Sequence, residues 1–570
     1  MHFVIAQTMM KYCTKEDEMY PKSQHICQAA DLIRNRVRNR RHYRKVLQNS
    51  ARIAISLGAQ PTALCYLRHA IELLQPSCWD EKAPDVDYEE TLEFHLSTAE
   101  LLAYQRDNEE ALRLLTQVFR HGRTAADKSR GWIVKSKIST DAGDFNGAMD
   151  ALLSSLEELG IHTRQLTTYA QCDSAFKELR DYLQTKDLEA LVLQPISQDP
   201  RVIALGTVLA EAMAVAFWGD DLTYMYMGVE MMKLHLFTGR FSQVGLACCH
   251  LAMAAYSRHK DLDFAASMSD LSLVIFESYA DPLSRGAGFI LQSFMVEHLR
   301  VPLRTILPFI ETSVEFAFNS NDPYLMLTSF GLMAATRLHL GQDMSEIETF
   351  CTDTPDEIID WTRDVRSGVL LVSVKQVARA LQGKTSWRLP NLVMTDDQHS
   401  SVEYMEHIRQ RSMRSDRPHD IYWSYGMIPL YVYGHYDKII ELGTGMMDSI
   451  ERLWCLRASH ITYFILPLAI LTKYIDNPNA GSLESHMTLV LQCKEVVDFV
   501  RKACDVNHAM WSLLIEALMH EHKKSFNSAV QAYEAAIDHC EVHGFPLEEA
   551  MALELYGKHQ VFHFRFWYVH

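Results

Sequence analysis

Between Tyr43 and Gly160, apolar helical segments alternate with short polar turns, and one pattern occurs three times. Gly58-Ala59-Gln60-Pro61-Thr62-Ala63 is followed by Leu67 and Ala70. Arg106-Asp107-Asn108-Glu109-Glu110-Ala111 is followed by Leu115 and Val118, and Gly143-Asp144-Phe145-Asn146-Gly147-Ala148 by Leu152 and Ser155. From Ala63 to Ala111 is 48 residues and from Ala111 to Ala148 is 37, against about 34 for a tetratricopeptide repeat. A small residue where two helices cross lets their backbones approach, and a large one a turn later fills the gap. The pattern predicts an all-α, tetratricopeptide-like helix-turn-helix solenoid. The acidic, proline-containing stretch Trp79 to Glu89 is the loop that lengthens the first interval.

The same periodicity divides the rest of the chain. Residues 1–42 carry two apolar helical faces and then the run Arg34, Arg36, Arg38, Arg40, Arg41, Arg44 and Lys45. With only Tyr43 interleaved, that run reads as a solvated helix surface and not as a stacking platform for bases. Repeats occupy 43–195, and the loop Gln194 to Pro200 is the expected boundary. A central helical array fills 196–382, where Met225, Met227, Met231 and Met232 read as packing residues. An irregular excursion is expected over 383–420, then C-terminal repeats over 421–556, with turns at Gly434 and Lys524. The aromatic tail 557–570 either packs over the open end of the array or marks a chain cut from a longer protein. Strand-like alternation is nearly absent.

Composition excludes more than it identifies. The chain has 570 residues, 48% of them hydrophobic, with a net charge of −17. It is too long for one core and too apolar for global disorder, and its charge argues against nucleic acid or an anionic membrane as partner. Twelve cysteines contain no C-x-x-C pair, so reduced thiols and a cytoplasmic setting are expected. The longest apolar run, Ile461 to Leu471, contains Pro467 and is shorter than a membrane span.

Several segments resemble the tetratricopeptide-like region of large multidomain signalling proteins, in which a serine/threonine kinase precedes an AAA-type ATPase, GAF and histidine-kinase modules. They are Ala63 to Leu74 with Trp79, Leu92 to Glu100, Gly143 to Ile161, Arg300 to Ile310, Cys504 to His508 and His543 to Ala550. The resemblance implies that residues 1–42 are the helical tail of the ATPase module. It covers helices and no catalytic residue. The phosphate-binding G-x-x-x-x-G-K-[ST] loop, the kinase loops and any receiver domain are missing from the sequence.

No other chemistry stands out. The glycine pairs at Gly286 and Gly443 lack a strand-turn-helix setting. His520 and His522 have the wrong spacing for a metal, and His559 and His563 lack a third ligand and read as surface histidines. No catalytic residue, cofactor or metal site is therefore assigned, and the chain is not expected to hydrolyse ATP or transfer phosphate. What remains is a groove. Counting back from the repeat alanines places Lys45 and Arg52, Glu93 and Glu100, and Arg130 and Lys137 on the inner faces of three leading helices. Either neighbouring helices pair these charges, which is the default reading, or the groove reads a protein partner of matching charge. The expected function is a non-catalytic interaction and relay scaffold, binding a protein partner or neighbouring signalling domains. The alternatives are a ligand-sensing regulatory solenoid and a fragment of a sensor kinase without independent activity.

Overall fold

The computed structural model describes all residues except 13–18, 163–167, 321, 354–360, 413, 415, 478–482 and 570, and only the backbone of 319, 320 and 562–569. The described residues form 28 α-helices. In chain order these are α1 (His2–Tyr12), α2 (Met19–Gln28), α3 (Ala30–Arg36), α4 (Arg41–Ser56), α5 (Gln60–Glu72), α6 (Tyr88–Tyr104), α7 (Asn108–His121), α8 (Ala125–Asp141), α9 (Phe145–Glu158), α10 (Tyr169–Leu183), α11 (Leu188–Val192), α12 (Pro200–Phe217), α13 (Asp221–Thr238) and α14 (Val244–Ala254). There follow α15 (Leu262–Ser278), α16 (Pro282–Leu291), α17 (Leu307–Ser320), α18 (Pro323–His339), α19 (Met344–Thr352), α20 (Gly368–Leu381), α21 (Ser401–Arg411), α22 (Asp416–Val432), α23 (Tyr436–Met446), α24 (Arg457–Asp476), α25 (Glu484–Ala503), α26 (Asp505–His522), α27 (Phe526–His543) and α28 (Pro546–Val569). Among the described residues the only β-type pairing is an isolated bridge between Ile196 and Arg240. The chain is an all-α helical solenoid in two compact units: Met1–Thr167 with Ser197–Phe217, and Thr168–Ile196 with Trp218–His570.

In the first unit the hairpins α4/α5, α6/α7 and α8/α9 follow one another, and the leading helices α6 and α8 pack directly together. The repeated turn has a backbone cause. Its first residue (Gly58, Arg106, Gly143) has φ of 74°, 63° and 82°. This left-handed residue ends each leading helix in a Schellman motif. Gly58 N–H donates to the Ile55 carbonyl at 3.0 Å and Ala59 N–H to Ala54 at 2.8 Å; Arg106 and Asp107 repeat this on Ala103 and Leu102, both at 2.9 Å. The same device recurs in the second unit at Gly341, Gly434 and Lys524. The polar turn that recurs along the sequence is thus the mark of one backbone conformation.

Ala63, Ala111 and Ala148 are fully buried, as the crossing-point reading requires. Ala111→Leu should therefore overpack the α6/α7 crossing and lower stability by about 1–3 kcal/mol, read as a drop in melting temperature. A variant melting with the parent would refute the repeat register.

In the second unit every other helix forms an inner row: α14 on α16, α16 on α18, then α20, α22, α24, α26 and α28 in turn. These inner helices have little polar face. All eleven residues of α14 are buried, and so is every residue of α24 from Arg457 to Thr472. A helix apolar all round belongs inside a structure. Part of the filling comes from residues 297–305, which reach α26. Asn507 donates to the carbonyls of His298 and Val301 at 2.8 and 2.7 Å and accepts the Leu303 N–H at 3.0 Å.

Four expectations need correction. The excursion at 383–420 contains the helix α21 (Ser401–Arg411) and the start of α22 at Asp416; Ser400 caps α21, and Tyr404 and Ile408 bury its apolar side. The tail 557–569 continues α28 without a break. The apolar run around Pro467 is part of the 20-residue α24, and both α24 and α12 are long and apolar enough to cross a membrane; 89% of the α24 window is buried against the rest of the chain and 56% of that of α12. The arginine run is only partly solvated, since Arg40 and Arg44 are buried.

Candidate functional site

In the first unit three of the six predicted residues come together. Arg130 on α8 makes a two-pronged contact with Glu100, Nε to Oε1 at 3.1 Å and Nη2 to Oε2 at 2.9 Å, and its Nη1 donates to Glu93 at 2.7 Å. Burial opposes the Arg130 charge, but the two carboxylates outweigh it and raise its pKa. The three side chains remain 36–41% exposed, so each pair contributes about 0–1 kcal/mol. Lys137 lies farther along α8, half-buried and with a partner of its own. Lys45 and Arg52, one face of α4, are exposed and have no ion pair among the described residues. Arg130 thus pairs with both carboxylates of the acidic stripe and leaves the three side chains with one net negative charge, while the two cations on α4 have no ion pair among the described residues.

Beneath that stripe lies a buried clasp. Arg44 donates through Nη1 to Asp85 at 2.8 Å and through Nε and Nη2 to Glu90 at 2.9 and 2.6 Å. Its side chain is 0% exposed and those of Asp85 and Glu90 are 2% and 10%. Burial would lower the pKa of Arg44, and the hydrogen bonds it donates to Glu90 and Asp85, with their charges, more than offset it. Asp85 also caps the start of α4 by accepting from the Arg40 and Arg41 N–H groups at 3.0 and 3.2 Å. Arg40, Arg41 and Arg44 of the arginine run are thus tied to the 79–89 loop, while Arg34, Arg36, Arg38 and Lys45 stay exposed.

The second unit holds a polar cluster that periodicity did not single out. His298, His460 on α24 and His508 on α26 are fully buried, with one ring nitrogen of each within 4.8 Å of the others. His508 Nδ1–H donates to the Cys504 carbonyl at 3.0 Å, leaving Nε2 to accept from Arg457 Nη1 at 3.1 Å. His298 Nε2–H donates to the Cys455 carbonyl at 2.7 Å. Trp511 donates to Glu548 at 3.2 Å and carries the Arg457 guanidinium 4.5 Å above its ring. Burial pushes His298 down to about 3, His460 and His508 well below the usual range, and Arg457 down to about 10, and it raises Glu548. Three neutral imidazoles would suit zinc, but the Arg457 charge sits against the only lone pair of His508. Among the described residues His298 Nδ1, His460 Nδ1, Arg457 Nε and Nη2 and Glu548 Oε2 have no hydrogen-bond partner, and the Arg457 guanidinium opposes a cation at His508.

A pocket of about 130 Å³ near the end of the second unit is lined by Asp476, Glu521, Tyr533 and Lys558, among others. Tyr533 donates to Glu521 at 3.0 Å, and His559 Nδ1 lies 3.2 Å from the same carboxylate. His559 is buried, which corrects the surface reading: α28 continues far enough to turn it inward. The side chain of His563 lies outside the described residues.

No family model and no curated protein matches the chain. Similar solved structures include the yeast Tom70 crystal structure, at 10% identity over 92% of this chain and 96% of that one, TM-score 0.27. Human IFIT1, as a dimer with m7Gppp-AAAA, matches at 11% identity over 93% and 96%, TM-score 0.29. Naa15/Naa10 bound to HypK-THB matches at 13% over 96% and 92%, TM-score 0.21. With TM-scores under 0.5, none of them bears on the site.

Proposed function

We propose that the chain is a non-catalytic protein-interaction scaffold whose first unit receives an acidic segment of a partner along α4. The observation that carries this is the pair Lys45 and Arg52, exposed and with no ion pair among the described residues, whereas Glu93 and Glu100 are both held by Arg130. Unpaired cations on an ordered helix favour carboxylates at matching spacing and act mainly on specificity and association rate. Helices α14 and α24 of the second unit are buried and offer no comparable face. If the resemblance to multidomain signalling kinases reflects common descent, the partner is a signalling domain and the chain relays its binding state.

Peptides selected from a random library on the immobilised full chain should be enriched in Asp and Glu. Lys45→Glu with Arg52→Glu should reverse that preference and leave the melting curve in place. Peptide composition indifferent to the double substitution would refute the assignment. A second reading, ligand sensing by the second unit, is favoured by the polar groups converging on the 130 Å³ pocket. That volume admits a few atoms and no peptide.

A further inference from the structure

The first unit contains a group of soft ligands that the chain order conceals. Cys65 and His69 stand one turn apart on α5, so their side chains leave the same face. Helix α2 packs against α5 and presents Cys27 to that face. The two sulfurs and one imidazole nitrogen all lie within 4.8 Å of one another. Cys65 is exposed, and Cys27 and His69 are half-buried, so the group is open to solvent. His69 Nδ1 lies 2.9 Å from Glu72 Oε2. A carboxylate on Nδ1 fixes the proton there and frees Nε2 as a lone-pair donor, the arrangement that orients metal-binding histidines.

We propose that Cys27, Cys65 and His69 bind a thiophilic divalent cation, Zn²⁺, with Glu72 orienting the imidazole. Two sulfurs and one nitrogen are a zinc donor set, and a tetrahedral ion completes its shell with water. Magnesium and calcium are excluded by the softness of the donors. Burial, then the neighbouring Cys65 thiol, then Glu72 push the Cys27 thiol up to about 12. Cys27 is therefore a thiol in the metal-free chain, and binding of the ion releases its proton to solvent. The bound ion ties α2 to the first repeat.

The test is cobalt(II) titration of the reduced full-length chain, followed by zinc. The expected result is a thiolate-to-cobalt charge-transfer band saturating at one ion per chain and bleached by zinc. Cys65→Ser and Cys27→Ser should each weaken the band, and Glu72→Gln should lower affinity by about 10–100-fold. Cys65 is exposed, so metal-free Cys65→Ser should melt with the parent even if Cys27→Ser does not fold. Absence of the band in the parent chain, or an unchanged band in Cys65→Ser, overturns the proposal. Isolation of the parent with a Cys27–Cys65 disulfide that cobalt cannot enter after reduction overturns it too.

Discussion

Arg44→Met is expected to destabilise the first unit by about 3–5 kcal/mol, because it strands two buried carboxylates without a counter-charge. Asp85 and Glu90 have 2% and 10% of their side chains exposed and share one guanidinium. Asp85 would keep the Arg40 and Arg41 N–H groups as partners, and Glu90 would lose both of its arginine bonds. The loss should appear as faster amide exchange in α4 and the 79–89 loop, with the second unit unchanged. The triple variant Arg44→Met, Asp85→Asn, Glu90→Gln removes the three charges of the clasp, leaving only the buried Arg40, and should recover part of the loss. A single variant within about 0.5 kcal/mol of the parent, in the range of an ordinary surface substitution, would mean that the clasp is solvated in solution.

This clasp shows where the sequence was legible and where it was not. The repeats were legible because one backbone event, a left-handed residue closing a helix, leaves a local trace at Gly58, Arg106 and Gly143. The fully buried alanine five residues later is equally local. Arg44 was misread because its partners lie 41 and 46 residues away, and a charge run seen alone is a solvated face. The predicted charged face was half legible. Residues seven apart put Glu93 and Glu100 on one side of α6, but only packing could show that Arg130 claims both.

Other features were out of reach for the same reason. Cys27 and Cys65 form no C-x-x-C because each comes from a different helix, and their proximity depends on how α2 lies on α5. In α14 and α24 burial on all sides erases the polar face, so helical period disappears and only apolar density remains. Within such runs the informative residues are those that do not belong there. Arg457 and His460 in α24 and His508 in α26 are polar groups in helices that bury nearly everything. That mismatch is the signal a reading of the sequence could have used.

The second unit should also unfold in mild acid, starting just below pH 6.5. His250, His298, His339, His460 and His508 are all buried as neutral imidazoles, and burial lowers each of them from the ordinary value of 6.5, His250 and His298 to about 3. Their unfolded forms take up protons as pH falls through 6.5, whereas the folded forms do not. The depressed values therefore contribute stability that is complete above pH 6.5 and lost progressively as pH falls toward 3. Each histidine costs about 1.4 kcal/mol per pH unit within that window, so five acting together exceed the stability of an ordinary domain within about two units. Arg457 adds to the effect on His298, His339, His460 and His508, since a guanidinium opposes a second positive charge there. Glu548, raised by burial, works the other way and softens the slope. Circular dichroism at fixed temperature should show a steep loss of helix between pH 6 and 5, with exchange protection failing first in α24 and α26. His460→Leu, which removes one titrating group, should move that transition to lower pH. A pH-independent melting temperature from 7 to 5 would mean that the imidazoles are hydrated and free to charge in the folded chain.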